Sequence, residues 1–578
     1  MAPQRIVVDP VTRIEGHLRV EAQVAGGHVT DAWSSGTMWR GIEIVLRNRD
    51  PREAWLFAQR ICGVCTTVHA LASVRAVEDA LGISPPVNAE FLRQLIALSQ
   101  YVHDHVVHFY HLQAMDWADV MSALKADPAK TAALQASLSD YPKGSAGDFT
   151  AVQAKLGKFV AAGNLGPFTD GYWGHPAYRL PPEVNLLAIS HYIDALAFQR
   201  GFVRIHALLG GKNPHPQSYL VGGMARPIDL NSDDAINDSV LAELRQLLQD
   251  GLNFVTQAYL PDLVAIASHY PEWFTLGAGS GNYLAFGDFS RTGQPPRGGT
   301  PGSRPDLLFP PGIILGQDLT TVHPVDPAQI SEEVARSWYS YTVGDGQPLK
   351  PFDGQTNPNY TGPDPPYDFL TVADRYSWLK APRYSGQVME VGPLARMLVS
   401  YASGQSRARD LLTSVLGRLH LGPDALFSTM GRILARGVET QLAAERALDV
   451  LTALIGNIAS GDTQTFDSGR WDPSTWPAQA RGFGFHAGPR GALSHWVEIT
   501  DGKISNYQVI APTTWNASPR DGAGRRGPYE AALAGTPVAI PAQPLEILRT
   551  LHSFDPCMAC AAHILGEDGA ELVRVLVA

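Results

Sequence analysis

Arg60-Ile61-Cys62-Gly63-Val64-Cys65-Thr66-Thr67-Val68-His69 near one end of the chain and Asp555-Pro556-Cys557-Met558-Ala559-Cys560-Ala561-Ala562-His563 near the other contain all four cysteines of the sequence. Each is a C-x-x-C pair with a histidine just downstream. If the two pairs share a site, the fold has to close its ends around it. Thiolates are soft ligands, and four of them suit zinc, an iron–sulfur cluster or a nickel/iron centre; spacing alone does not choose. A structural zinc scaffold held by the four cysteines is the plain alternative. Structural zinc usually staples a small unit that lacks a core, whereas 578 residues bury core to spare. Haem attachment fails because neither second cysteine is followed by His, and a thioredoxin-like dithiol needs only one pair, beside a βαβ unit.

Working outward from the first pair, the opening residues alternate as strands: Arg5 to Val8, His17 to Val24 and Val29 to Trp33, punctuated by Gly26-Gly27. From Pro51 the period becomes helical, with long amphipathic stretches at 86–125, 183–209, 233–268 and 423–459. Pro and Gly crowd residues 277–370. Apolar runs such as Leu307-Leu308-Phe309 and Ile313-Ile314-Leu315 predict an ordered surface excursion there rather than a linker. Strands return at Ser494 to Ile499 and Ile504 to Ile510 around an Asp501-Gly502 turn, and a last helix, Pro544 to His552, delivers the second cysteine pair. The expected class is α+β and predominantly helical: a central bundle of long helices with small peripheral antiparallel sheets. No repeat of 20–50 residues is visible.

Composition excludes several functions. Lys+Arg 45 against Asp+Glu 56 leaves a net charge of −11 with no basic block, so nucleic acid is not an expected partner. Charged residues make up 17%, below the roughly 25% of an average domain, which leaves surface for a partner to cover. No window approaches the roughly 20 apolar residues of a membrane span, and Met1 to Pro10 lacks the apolar core of a signal peptide. The glycine run Gly277-Ala278-Gly279-Ser280-Gly281-Asn282 has Asn282 where a dinucleotide fingerprint needs its third glycine, and reads as a loop.

The sequence resembles the large, catalytic subunit of nickel–iron hydrogenases, most closely the membrane-bound hydrogen-uptake type. The resemblance runs along nearly the whole chain. It includes Asp9-Pro10-Val11-Thr12-Arg13-Ile14-Glu15-Gly16-His17, both cysteine segments, Gly210-Gly211-Lys212-Asn213-Pro214-His215-Pro216, Met389-Glu390-Val391-Gly392-Pro393-Leu394 and Thr513-Thr514-Trp515-Asn516. It implies the hydrogenase large-subunit fold and a nickel held by Cys62, Cys65, Cys557 and Cys560. Cys62 and Cys557 would be terminal on nickel; Cys65 and Cys560 would bridge to an iron carrying carbonyl and cyanide ligands.

Heterolytic cleavage of H2 needs a base for the proton, and a nickel-bound thiolate such as that of Cys557 is in place. By the resemblance, Glu15 gates the proton path from that cysteine. Arg490, in Pro489-Arg490-Gly491, stands over the metals with carboxylate partners Asp104 and Asp555. Asp104 and His108 share one helix face. His103, His105, His108 and His111 are expected to be buried hydrogen-bonders rather than ligands. A magnesium ion is implied at Glu43, His563 and a backbone carbonyl near Val509. Two positions depart from the family: Ala487-Gly488 replaces a common acid-alanine pair before Pro489, and Val509 stands where relatives often carry Cys.

Electrons leaving such a site pass through clusters held by thiolates, and no cysteine remains to hold them. A separate iron–sulfur small subunit is therefore expected. By the resemblance, that subunit carries a twin-arginine export signal and connects to a membrane b-type cytochrome, placing the chain peripherally on the periplasmic face of the membrane. Residues 1–563 are expected to form one domain. A maturation endopeptidase would remove 564–578, a tail that also separates this chain from the family's regulatory hydrogen sensors, which typically end at the metal-site histidine.

Overall fold

The computed structural model describes residues 3–169, 171–294, 306–364 and 366–561. The opening strands β1 (Gln4–Val8), β2 (Leu18–Ala25) and β3 (His28–Gly36) form an antiparallel sheet in that order. Their apolar alternation faces a core built with the other end of the chain. Leu18, Val20, Ala22 and Val24 are buried in one cluster with Ile547, Leu551 and Phe554. This packing, made by residues more than five hundred positions apart, is what closes the ends of the fold.

The helical bulk follows. The first cysteine pair leads into α1 (Val68–Leu81), and α2 (Val87–Val107) comes next; both are almost wholly buried. Further along lie α3 (Pro182–Phe202), α4 (Asp238–Phe254), α5 (Pro393–Ala402) and α6 (Thr429–Ala459). α2 and α6 run against each other at the centre, with α3 on α2 and with α4 and α5 on α6. The expected stretches break where periodicity is blind to a widened turn. The 86–125 stretch leaves α-geometry at His108–Gln113, and the 233–268 stretch does so at Val255–Tyr259, just before Pro261, whose ring and missing N–H forbid a regular bond there.

The Pro/Gly-rich region is ordered where it is described. Tyr283–Ala285 pairs with Gly312–Ile314, Asp288–Ser290 with Leu307–Phe309, and Ile330–Glu333 with Ala381–Tyr384. Residues 295–305 and 365 lie outside the described residues.

A second three-stranded antiparallel sheet, β4 (Gln479–Gly488), β5 (Gly491–Thr500) and β6 (Lys503–Ile510), includes the expected hairpin and one strand that sequence reasoning missed. β4 carries Gly482 and Gly484, which lower its strand signal. They are there because α1 lies on them: a Cβ on Gly482 would sit 2.0 Å from the Ala76 carbonyl oxygen, and one on Gly484 2.2 Å from that of Ala72. Gly488 pairs with Gly491, so Pro489-Arg490 forms the two-residue turn of the β4–β5 hairpin. After this sheet, α7 (Leu545–Ser553) leads through a short turn into α8 (Met558–Ala561). No described helix is long and apolar enough to cross a membrane.

Candidate metal centre

The two cysteine turns meet between the N-terminal segment, α2 and the β4–β5 turn. Cys557 Sγ lies 3.3 Å from Cys62 Sγ, 3.8 Å from Cys65 Sγ and 2.9 Å from Cys560 Sγ, and Cys65 is 2.9 Å from Cys560. All four are buried free thiols. A disulfide bond is about 2.05 Å; a metal–sulfur bond of about 2.3 Å instead puts ligand sulfurs roughly 3–4 Å apart. Among the described residues this is the one cluster whose His, Cys, Asp or Glu ligand atoms all lie within 4.8 Å of one another.

Backbone contacts hold the turns in place. Glu15 pairs with Cys557 as in a parallel bridge, Met558 N donating to Glu15 O at 2.8 Å. Gly16 makes the approach feasible: a Cβ there would sit 2.6 Å from Ala559 N. Cys557 N donates to Thr513 Oγ1 at 3.1 Å. The Arg40 guanidinium donates to the Ile61 carbonyl and, at 3.5 Å, to that of Ala559, clamping both turns at once. Asp555, just ahead of Cys557, adopts a left-handed φ of 59°, which Asp tolerates better than most residues.

Burial opposes ionisation of every thiol. In Cys62 it is outweighed by hydrogen bonds from the other three thiols and by the charge of Arg490, which bring that thiol well below the usual range. Burial pushes Cys65 up to about 12, and Cys557 and Cys560 well above the ordinary thiol value. Four thiolates together require cationic charge at their centre, which a thiophilic metal ion supplies. A small cavity beside the sulfurs is lined by Cys65, His69, Pro489, Arg490, Thr513, Cys557 and Cys560. The donor set and its surroundings fit a thiolate-bound metal centre.

Two ionisable groups flank the sulfurs. Glu15 Oε2 sits 3.3 Å from Cys557 Sγ and accepts from Ala559 N at 2.8 Å. Burial, with the Cys62 charge adding to it, raises its carboxyl to about 7. Arg490, carried on the β4–β5 turn, donates from Nη1 to Asp104 Oδ2 at 2.9 Å, and its Nη2 forms an ion pair with Asp555 Oδ1 at 3.1 Å. Despite burial, Asp555, Cys557 and Asp104 keep the guanidinium firmly charged. His108 Nε2 lies 3.9 Å from Asp555, so Asp104 and His108 do serve one face of the helical segment.

The histidine expectation needs correction. His105 and His108 are buried, bonded to Glu439 and to the His552 carbonyl. His103, Val107 and His111 instead form a half-buried i, i+4 stripe where that side of the helix reaches the surface.

Several residues at the site escaped the sequence reading. Arg396 on α5 donates to the carbonyls of Gly488 and Pro489, each at 2.9 Å, and is gripped by Glu439 of α6. Tyr101 O–H donates to the Ala487 carbonyl. These bonds hold the hairpin turn that carries Arg490. The only available signal was position: Arg396 stands two residues beyond the Gly392-Pro393-Leu394 run. Thr513 opens a run that carries the resemblance, whereas Gln100 and Arg40 gave no signal.

Glu43 lies elsewhere, buried beside β6. It accepts from Val509 N at 2.9 Å and from Thr356 O–H, with Lys380 Nζ at 3.4 Å. Lys380 also reaches Gln508 Oε1 at 2.7 Å and Glu332 at 3.6 Å. His563 lies outside the described residues.

A buried four-thiol cluster with a carboxyl at one sulfur and a guanidinium beside it has the donor set of a metal-thiolate centre. The chain belongs to the nickel-dependent hydrogenase family, whose sequence model matches residues 40–563, while a second, HoxL-like model matches residues 5–34. It is similar to the uptake hydrogenase large subunit of Rhizobium leguminosarum bv. viciae, 50% identical over 588 residues that cover 99% of this chain and 97% of that one. The hydrogenase-1 large chain of Escherichia coli K12 is 48% identical, with 100% and 98% covered. Among solved structures, the Ni-Fe-Se hydrogenase from D. vulgaris Hildenborough in the reduced state superposes with a TM-score of 0.74 at 34% identity, covering 97% of this chain and 100% of that one.

Proposed function

We propose that the chain is the catalytic subunit of a hydrogen-uptake enzyme that splits H2 reversibly into protons and electrons. Cys62, Cys65, Cys557 and Cys560 would hold nickel together with an iron bearing carbonyl and cyanide ligands. When bound, those metals would supply the redox chemistry for heterolytic cleavage of H2. The observation that carries the reading is the carboxyl of Glu15 set 3.3 Å from the sulfur of Cys557, inside a four-thiol cluster. A zinc scaffold has no use for it.

The residues divide the work. Cys557 Sγ takes the proton, and Glu15 Oε2 receives it from the sulfur. A carboxyl raised to about 7 takes up and releases a proton equally well near neutral pH. Arg490, fixed by Asp104 and Asp555, keeps a positive charge and directed N–H donors over the cavity, where Pro489 closes the wall. There it would hydrogen-bond the cyanide ligands and steady developing negative charge.

Glu43 suits a magnesium site, together with the Val509 carbonyl and His563. Its surroundings are rich in oxygen, including Thr356, Gln508 and Glu332, as a hard cation prefers. Electron exit calls for an iron–sulfur small subunit, since all four cysteines are committed to the centre. Attachment to a b-type cytochrome on the periplasmic face, a single domain over 1–563 and endopeptidase removal of 564–578 complete the reading.

Elemental analysis and infrared spectroscopy of the purified enzyme test it. The expected result is about one nickel and one non-cluster iron per chain with carbonyl and cyanide bands. Stoichiometric zinc without such bands would refute it. Intact mass of active enzyme should end at His563; a full-length mass would refute the processing step.

A further inference from the structure

We infer that Gln100 is a positioning residue that locks the Cys62–Cys65 turn to the carboxylate orienting Arg490. Gln100 stands on α2 one turn before Asp104 and is 1% exposed. Its amide nitrogen donates both hydrogens. One goes to the Val64 carbonyl at 3.0 Å, inside the C-x-x-C turn, and the other to Asp104 Oδ1. The second oxygen of the same carboxylate accepts from Arg490 Nη1 at 2.9 Å. A carbonyl and a carboxylate have no hydrogen to donate, so only the NH2 end of the amide can face them and the orientation of the side chain is decided by chemistry.

The other end of the amide shows why glutamine stands here. Gln100 Oε1 is buried with no hydrogen-bond partner among the described residues. An unpaired buried carbonyl is destabilising, and Met or Leu would fill the same space without it. What a hydrocarbon cannot do is tie Val64 to Asp104.

That tie spans two halves of the site. Val64 and Gly63 are exposed, so the turn between the first two thiols faces the surface, whereas Asp104 and Arg490 are buried behind it. A single amide on a helix packed along α6 therefore registers the cysteine turn against the arginine arm. Fixed donors and ligands contribute to rate only while their relative positions hold. The inference rests on the metal-centre reading given above.

The test uses the assembled holoenzyme carrying Gln100→Met, which keeps volume and removes both bonds, with Gln100→Asn, too short to reach both acceptors, as the second variant. The unmodified enzyme's metal content and cyanide bands test the underlying reading by themselves. With that reading satisfied, metal-replete Gln100→Met should lose roughly tenfold in kcat with KM for H2 nearly unchanged, as loss of alignment rather than of binding demands. Its cyanide bands should move, because the guanidinium is displaced. Combined with Asp104→Asn, the losses should be non-additive, since Gln100 acts through Asp104.

Wild-type kcat and bands in a metal-replete variant, or strictly additive losses, would overturn the inference. If Gln100→Met fails to assemble, Gln100→Asn supplies the same readouts. Should neither variant retain metal, Gln100 serves folding alone and the proposal is wrong.

Discussion

Replacing Glu15 with Gln isolates the proton step. The carboxyl accepts from Ala559 N at 2.8 Å through the same oxygen that faces Cys557 Sγ at 3.3 Å. A glutamine amide keeps the size, and its oxygen, in the place of Oε2, still accepts from Ala559 N and faces the sulfur, with the NH2 in the place of the other oxygen. Shape and hydrogen bonding survive, and only the ability to take up and release a proton is lost. A positioned acid/base is worth roughly 10²–10⁴ in rate, or about 3–5 kcal/mol of barrier, and turnover should fall by that factor with nickel retained. H2/D2O exchange, which needs the proton to leave the site, should collapse with turnover. Conversion of para- to ortho-hydrogen, which does not, should survive. The pH profile adds a second signature. In H2 oxidation Glu15 receives the proton as carboxylate, so wild-type activity should climb as pH rises through about 7, and this limb should vanish in the variant. Near wild-type turnover with full nickel would show that Glu15 is a structural turn residue and that the proton leaves by another group.

Arg490→Lys replaces a planar fork that spans Asp104 and Asp555 with a point charge, so kcat should drop by roughly 10²–10³ at unchanged nickel content; an unaltered kcat refutes the assigned role. Asp116, buried between Arg13 and His552 at 2.6 Å each, ties the segment before Glu15 to α7. Asp116→Asn takes the charged partner from Arg13 and a carboxylate acceptor from His552, and urea titration should show a loss of about 3 kcal/mol; an unchanged midpoint would mean that the pairs are replaceable. Burial raises Glu530 to about 7 despite its bonds from Ser34, Tyr376 and Arg520. A carboxyl raised in the folded state contributes stability below about pH 4.5 that is lost as pH rises through about 7, amounting to about 3 kcal/mol. The unfolding temperature of Glu530→Gln relative to wild type should therefore improve from pH 5 to pH 8; a constant difference refutes the assignment.

Local chemistry was legible from residues alone. The C-x-x-C pairs announce soft-metal ligation because thiols at that spacing reach one ion, and Gly26-Gly27 or Asp501-Gly502 announce turns because few other residues adopt their backbone angles. Helices α2 and α6 were visible as long stretches with apolar residues at helical spacing and no proline to break them. Glu15, Arg490, Asp104 and Asp555 came from resemblance; as isolated residues they read as turn and loop side chains.

What tertiary structure decided has a common cause: contacts between positions far apart leave no period in the sequence. β4 was invisible because Gly482 and Gly484 answer to α1, packed on them from four hundred residues upstream. Gln100 and Arg396 look like ordinary helix polar residues until the fold sets Val64, Gly488 and Pro489 against them. The electrostatics followed the same rule. A carboxylate's ordinary pKa belongs to the residue, but the value of about 7 at Glu15 belongs to its burial beside Cys557 and Cys62. Sequence alone determined which atoms were available to bind metal and move protons; folding determined which of them share one dry, charged space, because only there do distance and desolvation act.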